Sequence, residues 1–252
     1  MKNKNVITTS DHGLMLINRN DTAISKRISE TGNWELDYID FLKVLITKCH
    51  PQGSEIEIID AGANLGVYTL SMARIPGLKV KVIAIEAQRL LFQILNANVA
   101  LNSLDNVWTH HRIISDTTDA TVELQCPDLN IPANFGAFEV DKNLVYSDYD
   151  GASFLPAEKV KTMTLDSLEL TKCALLKLDV EGMEDSALLG ADTLLSTSRP
   201  IIFFERHKTD YGKVISILRK HSYSIWELPG PNVLAVRKEW NLQLNNLPRI
   251  DL

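Results

Sequence analysis

Cysteine is scarce and unpatterned in this sequence. Cys49, Cys126 and Cys173 are odd in number and widely spaced. That excludes a disulfide framework and the paired spacing of a structural zinc site, and it fits a reducing compartment. Runs of lysine or arginine are missing too. Acidic residues outnumber basic ones, 32 to 26, for a net charge of −6, so no dedicated nucleic-acid surface is expected. No stretch approaches the ~18–20 apolar residues of a membrane-spanning helix. The opening segment MKNKNVITTSDHG lacks the apolar core of a signal peptide. A cytoplasmic protein with no membrane partner is therefore expected. Internal repeats, low-complexity tracts and shifts of composition are absent as well. The chain, residues 1–252, reads as a single domain, long enough to close one full α/β core. The sequence leaves the oligomeric state open, a dimer included.

What is present is organised around Glu55 to Glu86, EIEIIDAGANLGVYTLSMARIPGLKVKVIAIE. Ile56, Ile58 and Ile59 form a short β-branched run that ends at Asp60, the pattern of a buried parallel strand. A turn with Gly62 and Gly66 around Asn64 follows. Glycine there permits left-handed backbone and close approach of a ligand to the main chain. Val67, Leu70, Met72 and Ala73 then recur at helical spacing, and a second apolar strand, Val80 to Ile85, ends at Glu86. Strand, glycine turn, helix and strand with a terminal acid is the layout of a nucleotide-binding βαβ unit. The acid can accept hydrogen bonds from a ribose diol, and the start of the helix offers free N–H groups.

The loop also discriminates between ligands. A dinucleotide fold wants G-x-G-x-x-G, and here Asn64 stands where the middle glycine would lie against a pyrophosphate. An anionic Asp60 at the strand end repels pyrophosphate and suits a cation. S-adenosylmethionine, with an ammonium, a sulfonium and no phosphate, fits this loop better than NAD.

The flanking segments extend the pattern. Leu14 and Leu16 alternate in GLMLIN as in a hairpin arm. Tyr38, Phe41, Leu42, Leu45 and Ile46 share one helical face, completing an N-terminal extension over residues 1–52. SETGNWE between them is a candidate lid, with Trp34 and Glu35 read as packing and capping residues. After Glu86 come a helix, Leu90 to Leu101, and a third strand, Val107 to Ser115, with His110 and His111 as plain strand residues. Residues 117–161 break the rhythm: TVELQC and FGAFEV alternate, SDYDGASF is turn-rich, and a β-rich insertion near the substrate site is expected. Ala174 to Val180 forms a fourth strand ending at Asp179. Pro200 to Phe204 forms a fifth, ending in Glu205-Arg206-His207. A helix from Asp210 to His221 and a hairpin, Ser224–Glu227 with Val233–Val236, close the chain.

The segments IDAGANLGVYT, IEAQ, LLKLDVEGMEDSALLGA and PIIFFE resemble the FkbM family of S-adenosylmethionine-dependent methyltransferases. ISETGNWE and LINRND resemble that family's upstream part, and the likeness runs from about Leu14 to Val236. It implies a class I, Rossmann-like methyltransferase with a mostly parallel seven-stranded sheet and a C-terminal antiparallel hairpin. It also implies methyl transfer to a hydroxyl oxygen, with sugars and polyketide-type secondary metabolites among the acceptors. By position, Asp60, Gly62, Asn64 and Gly66 would form the loop at the methionine side. Glu86 would hold the ribose, Ser115 would lie near adenine, and Asp179 would stand at the methyl-transfer edge. Thr117 to Lys161 matches the family poorly.

Asp179, Glu181, Glu205 and His207 fall at the C-terminal tips of adjacent strands, where an open α/β sheet binds ligands. Glu205 or His207 can serve as the base that takes a hydroxyl proton, with Asp179 steering the ammonium or the acceptor. Alternatively, Asp179, Glu181 and Glu205 hold a divalent cation that acidifies the hydroxyl. Glu184 reads as a first-turn acid favoured by the helix dipole. Arg206 reads as a contact to an anionic acceptor or as a surface residue. The leading expectation is an O-methyltransferase for a carbohydrate or small metabolite. A Rossmann-type NAD-dependent oxidoreductase and a non-catalytic adenosylmethionine binder are the competitors.

Overall fold

The computed structural model describes residues 4–137, 153–244 and 247–250. An N-terminal hairpin, β1 (Asn5–Ser10) and β2 (Gly13–Asn18), leads into helices α1 (Ile24–Thr31) and α2 (Leu36–Cys49). The nucleotide-binding unit follows as β3 (Glu55–Ala61), α3 (Val67–Met72) and β4 (Lys79–Glu86), then α4 (Arg89–Leu101) and β5 (Val107–His111). Three short strands, β6 (Ile113–Ile114), β7 (Thr121–Leu124) and β8 (Glu158–Met163), lie outside the main sheet. The second half is β9 (Cys173–Leu178), α5 (Glu184–Leu189), α6 (Asp192–Thr197), β10 (Ile201–Glu205), α7 (Tyr211–Lys220) and the hairpin β11 (Tyr223–Glu227) and β12 (Asn232–Arg237).

The main sheet has seven strands in the order β5-β4-β3-β9-β10-β12-β11. The first five in that order pair in parallel, and β12 runs antiparallel to both of its neighbours. Alternation along each strand divides the core between two faces. Ile56, Ile58, Val82 and Phe203 pack with α2 and α3, while Ile59, Ile83, Leu176 and Phe204 pack with α5, α6 and α7. From β3 the chain winds outward through β4 and β5. Through β9 and β10 it winds the other way. The crevice at the C-terminal ends of β3 and β9 is therefore the topological switch point, where such sheets bind ligands.

The expected third strand, Val107 to Ser115, divides at Arg112. The Arg112 N–H donates to the carbonyl of Glu86 at 3.3 Å, which ends the pairing of β5 with β4. Ile113 and Ile114 then leave to pair with Thr162 and Met163 of β8, in a separate three-stranded sheet with β7. TVELQC supplies β7 as its alternation suggests. The second half of FGAFEV and most of SDYDGASF lie outside the described residues.

Helix α1 was not anticipated from the sequence, and it takes the first part of the expected lid. Gly32 stops it in left-handed backbone at φ 80°. The N-terminal hairpin is docked by side-chain amides rather than by another strand. The buried Asn98 of α4 accepts from the Leu16 N–H and donates to the carbonyls of Leu16 and Leu65 at 3.2 and 2.8 Å. Asn102, one turn on, brackets Leu14 in the same way. His12, in the turn between the strands, is buried between the Ser71 hydroxyl at 2.9 Å and the Trp34 N–H at 3.0 Å. Since Nε2 accepts, Nδ1 carries the proton and the ring is neutral; burial lowers its pKa.

Replacing Asn98 with leucine strands three backbone partners, each bond worth about 1 kcal/mol and each orphaned group more, so urea denaturation should show a loss of about 2–4 kcal/mol. A loss below about 0.5 kcal/mol, the range of ordinary surface substitutions, would show that the hairpin docks by other means.

Candidate active site

The switch-point crevice encloses a cavity of about 620 Å³, within the usual range for a small-molecule site. One end is built on the tip of β4. The Glu86 carboxylate accepts from the backbone N–H of Asn64 at 2.8 Å and of Gln88 at 2.7 Å. It is thereby fixed between the glycine turn and the start of α4. Burial pushes its pKa up to about 7, against the pull of those two N–H groups. Asn64 holds left-handed backbone, φ 52°, and its side-chain oxygen accepts from the next N–H. Gln88 donates to the carbonyl of Phe135 at 3.0 Å, and Arg89 makes a bidentate pair with Glu158 of β8. These two contacts hold the insertion over the β4 end of the cavity.

The glycine turn lies against the end of β9. Gly62 has φ 76°, and a Cβ there would stand 1.8 Å from the carbonyl oxygen of Asp179, so only glycine fits. Beneath the turn, the buried ammonium of Lys177 donates to the Gly62 carbonyl at 2.8 Å and lies 3.4 Å from carboxylate oxygens of both Asp60 and Asp179. Burial works against its charge, yet those acids outweigh it and raise the lysine pKa.

The far end of the cavity carries Trp34, Glu35, Asp179, Glu181, Glu205, His207 and Lys208. Glu35 accepts from the Tyr68 hydroxyl at 2.9 Å. Lys208 donates to Glu181 at 2.7 Å and to the carbonyl of Ala137 at 2.9 Å, linking the loop after β9, the loop after β10 and the insertion. Burial, then the nearby Asp179, push Glu181 up to about 8 despite that lysine. Glu205 is raised by burial and by Asp179, and Glu35 chiefly by burial. Around the whole cavity, the acids Glu35, Glu86, Asp179, Glu181 and Glu205 face the cations Arg112 and Lys208. A pocket with that excess of carboxylate favours a cationic ligand.

The sequence profile described as Methyltransferase FkbM domain matches residues 60–225, well over half of the chain. The chain belongs to the FkbM methyltransferase family. Among solved structures, Methyltransferase FkbM from Methylobacillus flagellatus KT is similar at a TM-score of 0.52 and 16% identity, over 80% of this chain and 50% of that one. This chain thus spans half the length of that protein. A SAM-dependent O-methyltransferase from Thermotoga maritima aligns at a TM-score of 0.46 and 12% identity, over 92% and 77% of the two chains. TYW2 from M. jannaschii, in complex with AdoMet, aligns at 0.46 and 12%, over 94% and 85%. No curated protein matches the sequence. The family profile and the M. flagellatus structure agree with the Rossmann-like, mostly parallel sheet described above.

In this FkbM-family chain Gly62, Asn64, Glu86, Asp179, Glu205 and His207 line the cavity, whereas Asp60, Gly66 and Ser115 do not. Asp60 is buried below the turn, bonded to the Thr69 hydroxyl at 2.6 Å and paired with Lys177. Gly66 serves packing: a Cβ there would press on Leu95 of α4 at 2.7 Å. Ser115 left the main sheet with β6, and its N–H donates to Met163; Arg112, Ile113 and Ile114 line the cavity in its place. Glu35 precedes α2 but makes no side-chain cap, its backbone being left-handed at φ 51°. Glu184 is more than a dipole-favoured acid: it is buried and accepts from the Val180 N–H at 3.0 Å, tying down the loop after β9. Arg206 turns away to pair with Glu227 at 2.8 Å. The divalent-cation reading of Asp179, Glu181 and Glu205 gains no support, since Glu181 is taken by Lys208. Among the described residues no group of three or more His, Cys, Asp or Glu is placed to hold a metal. Among those residues no helix is long and apolar enough to cross a membrane.

The raised acids fix a pH dependence. Glu86 and Glu184 sit at about 7 and Glu181 at about 8, against an ordinary 4.5. The native state therefore keeps protons that the unfolded chain releases, so its stability falls as pH rises above 4.5 and the loss is complete only above 7 to 8. His12 acts in the opposite sense only below its ordinary 6.5. Urea unfolding should show stability declining from pH 6.5 to 8.5, with Glu181→Gln flattening the decline; stability rising over that window would contradict the assignment.

Proposed function

We propose that this chain transfers a methyl group from S-adenosylmethionine to a hydroxyl oxygen of a carbohydrate or small secondary metabolite, as a cytoplasmic enzyme. The observation that carries the reading is Glu86, held at the β4 tip by the N–H groups of Asn64 and Gln88 and facing a cavity rich in carboxylate. A ribose diol finds its acceptor in that carboxylate, and a donor of net positive charge finds the acid excess. A pyrophosphate would meet the Asn64 side chain and Glu86 where a dinucleotide fold offers glycine and bare N–H groups.

When bound, the donor supplies an electrophilic methyl carbon on a good leaving group. The chain's share is then alignment and proton handling, and alignment alone can lower a barrier by roughly 7–11 kcal/mol. The Gly62–Asn64 turn and Glu86 orient the donor side. Asp179, on the shared edge between turn and cavity, orients the reacting end. Glu205 and His207, from the tip of the neighbouring strand β10, line the same cavity. Burial and Asp179 raise the proton affinity of Glu205, which suits it to take the hydroxyl proton, and His207 beside it is the alternative base. Trp34 and Glu35 wall the acceptor side.

Calorimetry should show binding of S-adenosylmethionine and S-adenosylhomocysteine and none of NAD; NAD binding alone would end this reading. Affinity for the donor should rise between pH 6 and 8, with proton release, as Glu86 ionises from about 7. Glu205→Gln or His207→Ala should lower turnover by about 10²–10⁴-fold while donor affinity stays within about threefold. Loss of donor affinity instead would move that residue to the donor site.

A further inference from the structure

Lys177 and Asp60 lie beneath the glycine turn and do not line the cavity. We propose that Lys177 is the positioning residue of the site, its ammonium aiming the Asp179 carboxylate at the donor by clamping it to Asp60 and the Gly62 carbonyl. The inference rests on the reading that the donor binds in this crevice.

Strand register puts the clamp in place. Asp60 of β3 and Lys177 of β9 are direct partners in the parallel pairing, so their side chains leave the sheet on one face. Asp179 lies two residues beyond Lys177 and returns to that face. The ammonium is enclosed, with the Tyr68 ring 5.3 Å away on the α3 side. Its polar contacts gather around the glycine turn: Asp60 and Asp179 at 3.4 Å and the Gly62 carbonyl at 2.8 Å. One Asp179 oxygen faces the lysine, and the residue still lines the cavity and is well exposed to it. Asp60 has no such exposure. The acid that meets a ligand is thus Asp179, and Asp60 acts through Lys177.

The charges that face this group are Asp60 from β3, Asp179 from the end of β9, Glu35 ahead of α2 and Glu86 from β4, with Tyr68 from α3. Lys177 is the cation set among these acids. Without it, the Asp60 carboxylate is left buried with no counter-ion and Asp179, open to the cavity, loses the contact that fixes its direction. An Asp179 that is no longer held aligns a cationic donor poorly.

The test compares wild type with Lys177→Gln, which keeps a donor for Gly62 but no charge, and with Lys177→Met. Carbon-13 NMR of the carboxyl groups, without ligand, should show the Asp179 resonance displaced in Lys177→Gln. Affinity for S-adenosylmethionine should fall at least tenfold in Lys177→Gln and by a similar factor in Asp179→Asn, and Asp179→Asn/Lys177→Gln should fall no more than about threefold further, because the two residues act as one unit. A lowered melting temperature with unchanged donor affinity, or losses that multiply in the double variant, would reduce Lys177 to a structural residue and overturn the proposal. Should Lys177→Met not fold, Lys177→Gln decides alone. Failure of wild type to bind S-adenosylmethionine would sink the donor assignment, and the Asp179 resonance would still decide whether Lys177 holds Asp179.

Discussion

One ammonium enclosed by carboxylates constrains the centre of this fold. Burying a lysine is costly unless charge and hydrogen bonds compensate it. Here both come from fixed places: Asp60 and Asp179 for charge, the Gly62 carbonyl for a hydrogen bond. That set exists only when β3 and β9 pair in their observed register. A slip of one residue would turn Lys177 to the opposite face, among the apolar side chains of α5 and α7. The same interaction that satisfies the lysine therefore specifies which strands meet at the switch point. It also fixes the glycine turn against Asp179, where a Cβ would stand 1.8 Å from that residue's carbonyl oxygen.

Much of the architecture was legible because burial on both faces leaves a plain signature. The runs at Ile56–Ile59, Val80–Ile85, Leu175–Leu178 and Ile201–Phe204 are apolar but for Glu57, Lys81 and Lys177, and each became an interior strand with at least one parallel neighbour. The hairpin at the C-terminus was marked by its Pro-Gly-Pro turn. The extent of the third strand was not legible, for the same physical reason. Ile113 and Ile114 are equally buried in the main sheet or in a neighbouring one, and composition does not record the change of partner. The switch depends on one N–H, that of Arg112, bonding to the carbonyl of Glu86.

The site was legible at strand tips and opaque where long-range pairing decides. Glu86 and Asp179 follow from their place after apolar runs. Asp60 follows the same rule yet lies beneath the turn, and its covering partner, Lys177, is more than a hundred residues away in sequence. A signal did exist: a lone lysine inside ALLKLDV, in a strand otherwise fully apolar, has to be satisfied by buried acids. Glu35 carried no such signal, because its role comes from a left-handed backbone and from the Tyr68 hydroxyl, neither of which a local pattern reveals.

That left-handed backbone is part of a wider arrangement. Asn64, Glu35, Glu181 and Lys208 have φ of 52°, 51°, 52° and 64°, and all four line the cavity. None is glycine, so each costs on the order of 1 kcal/mol or more in backbone strain. The cavity wall adds carboxylates raised by burial and by one another. Strain and like-charge repulsion gathered at one crevice oppose folding and gain nothing from packing. A cation entering the crevice relieves the repulsion directly, and backbone already strained into place has no ordering left to do when it arrives. The fold thus keeps its unfavourable terms at the switch point, where a ligand can offset them, and leaves the two apolar faces of the sheet to supply stability.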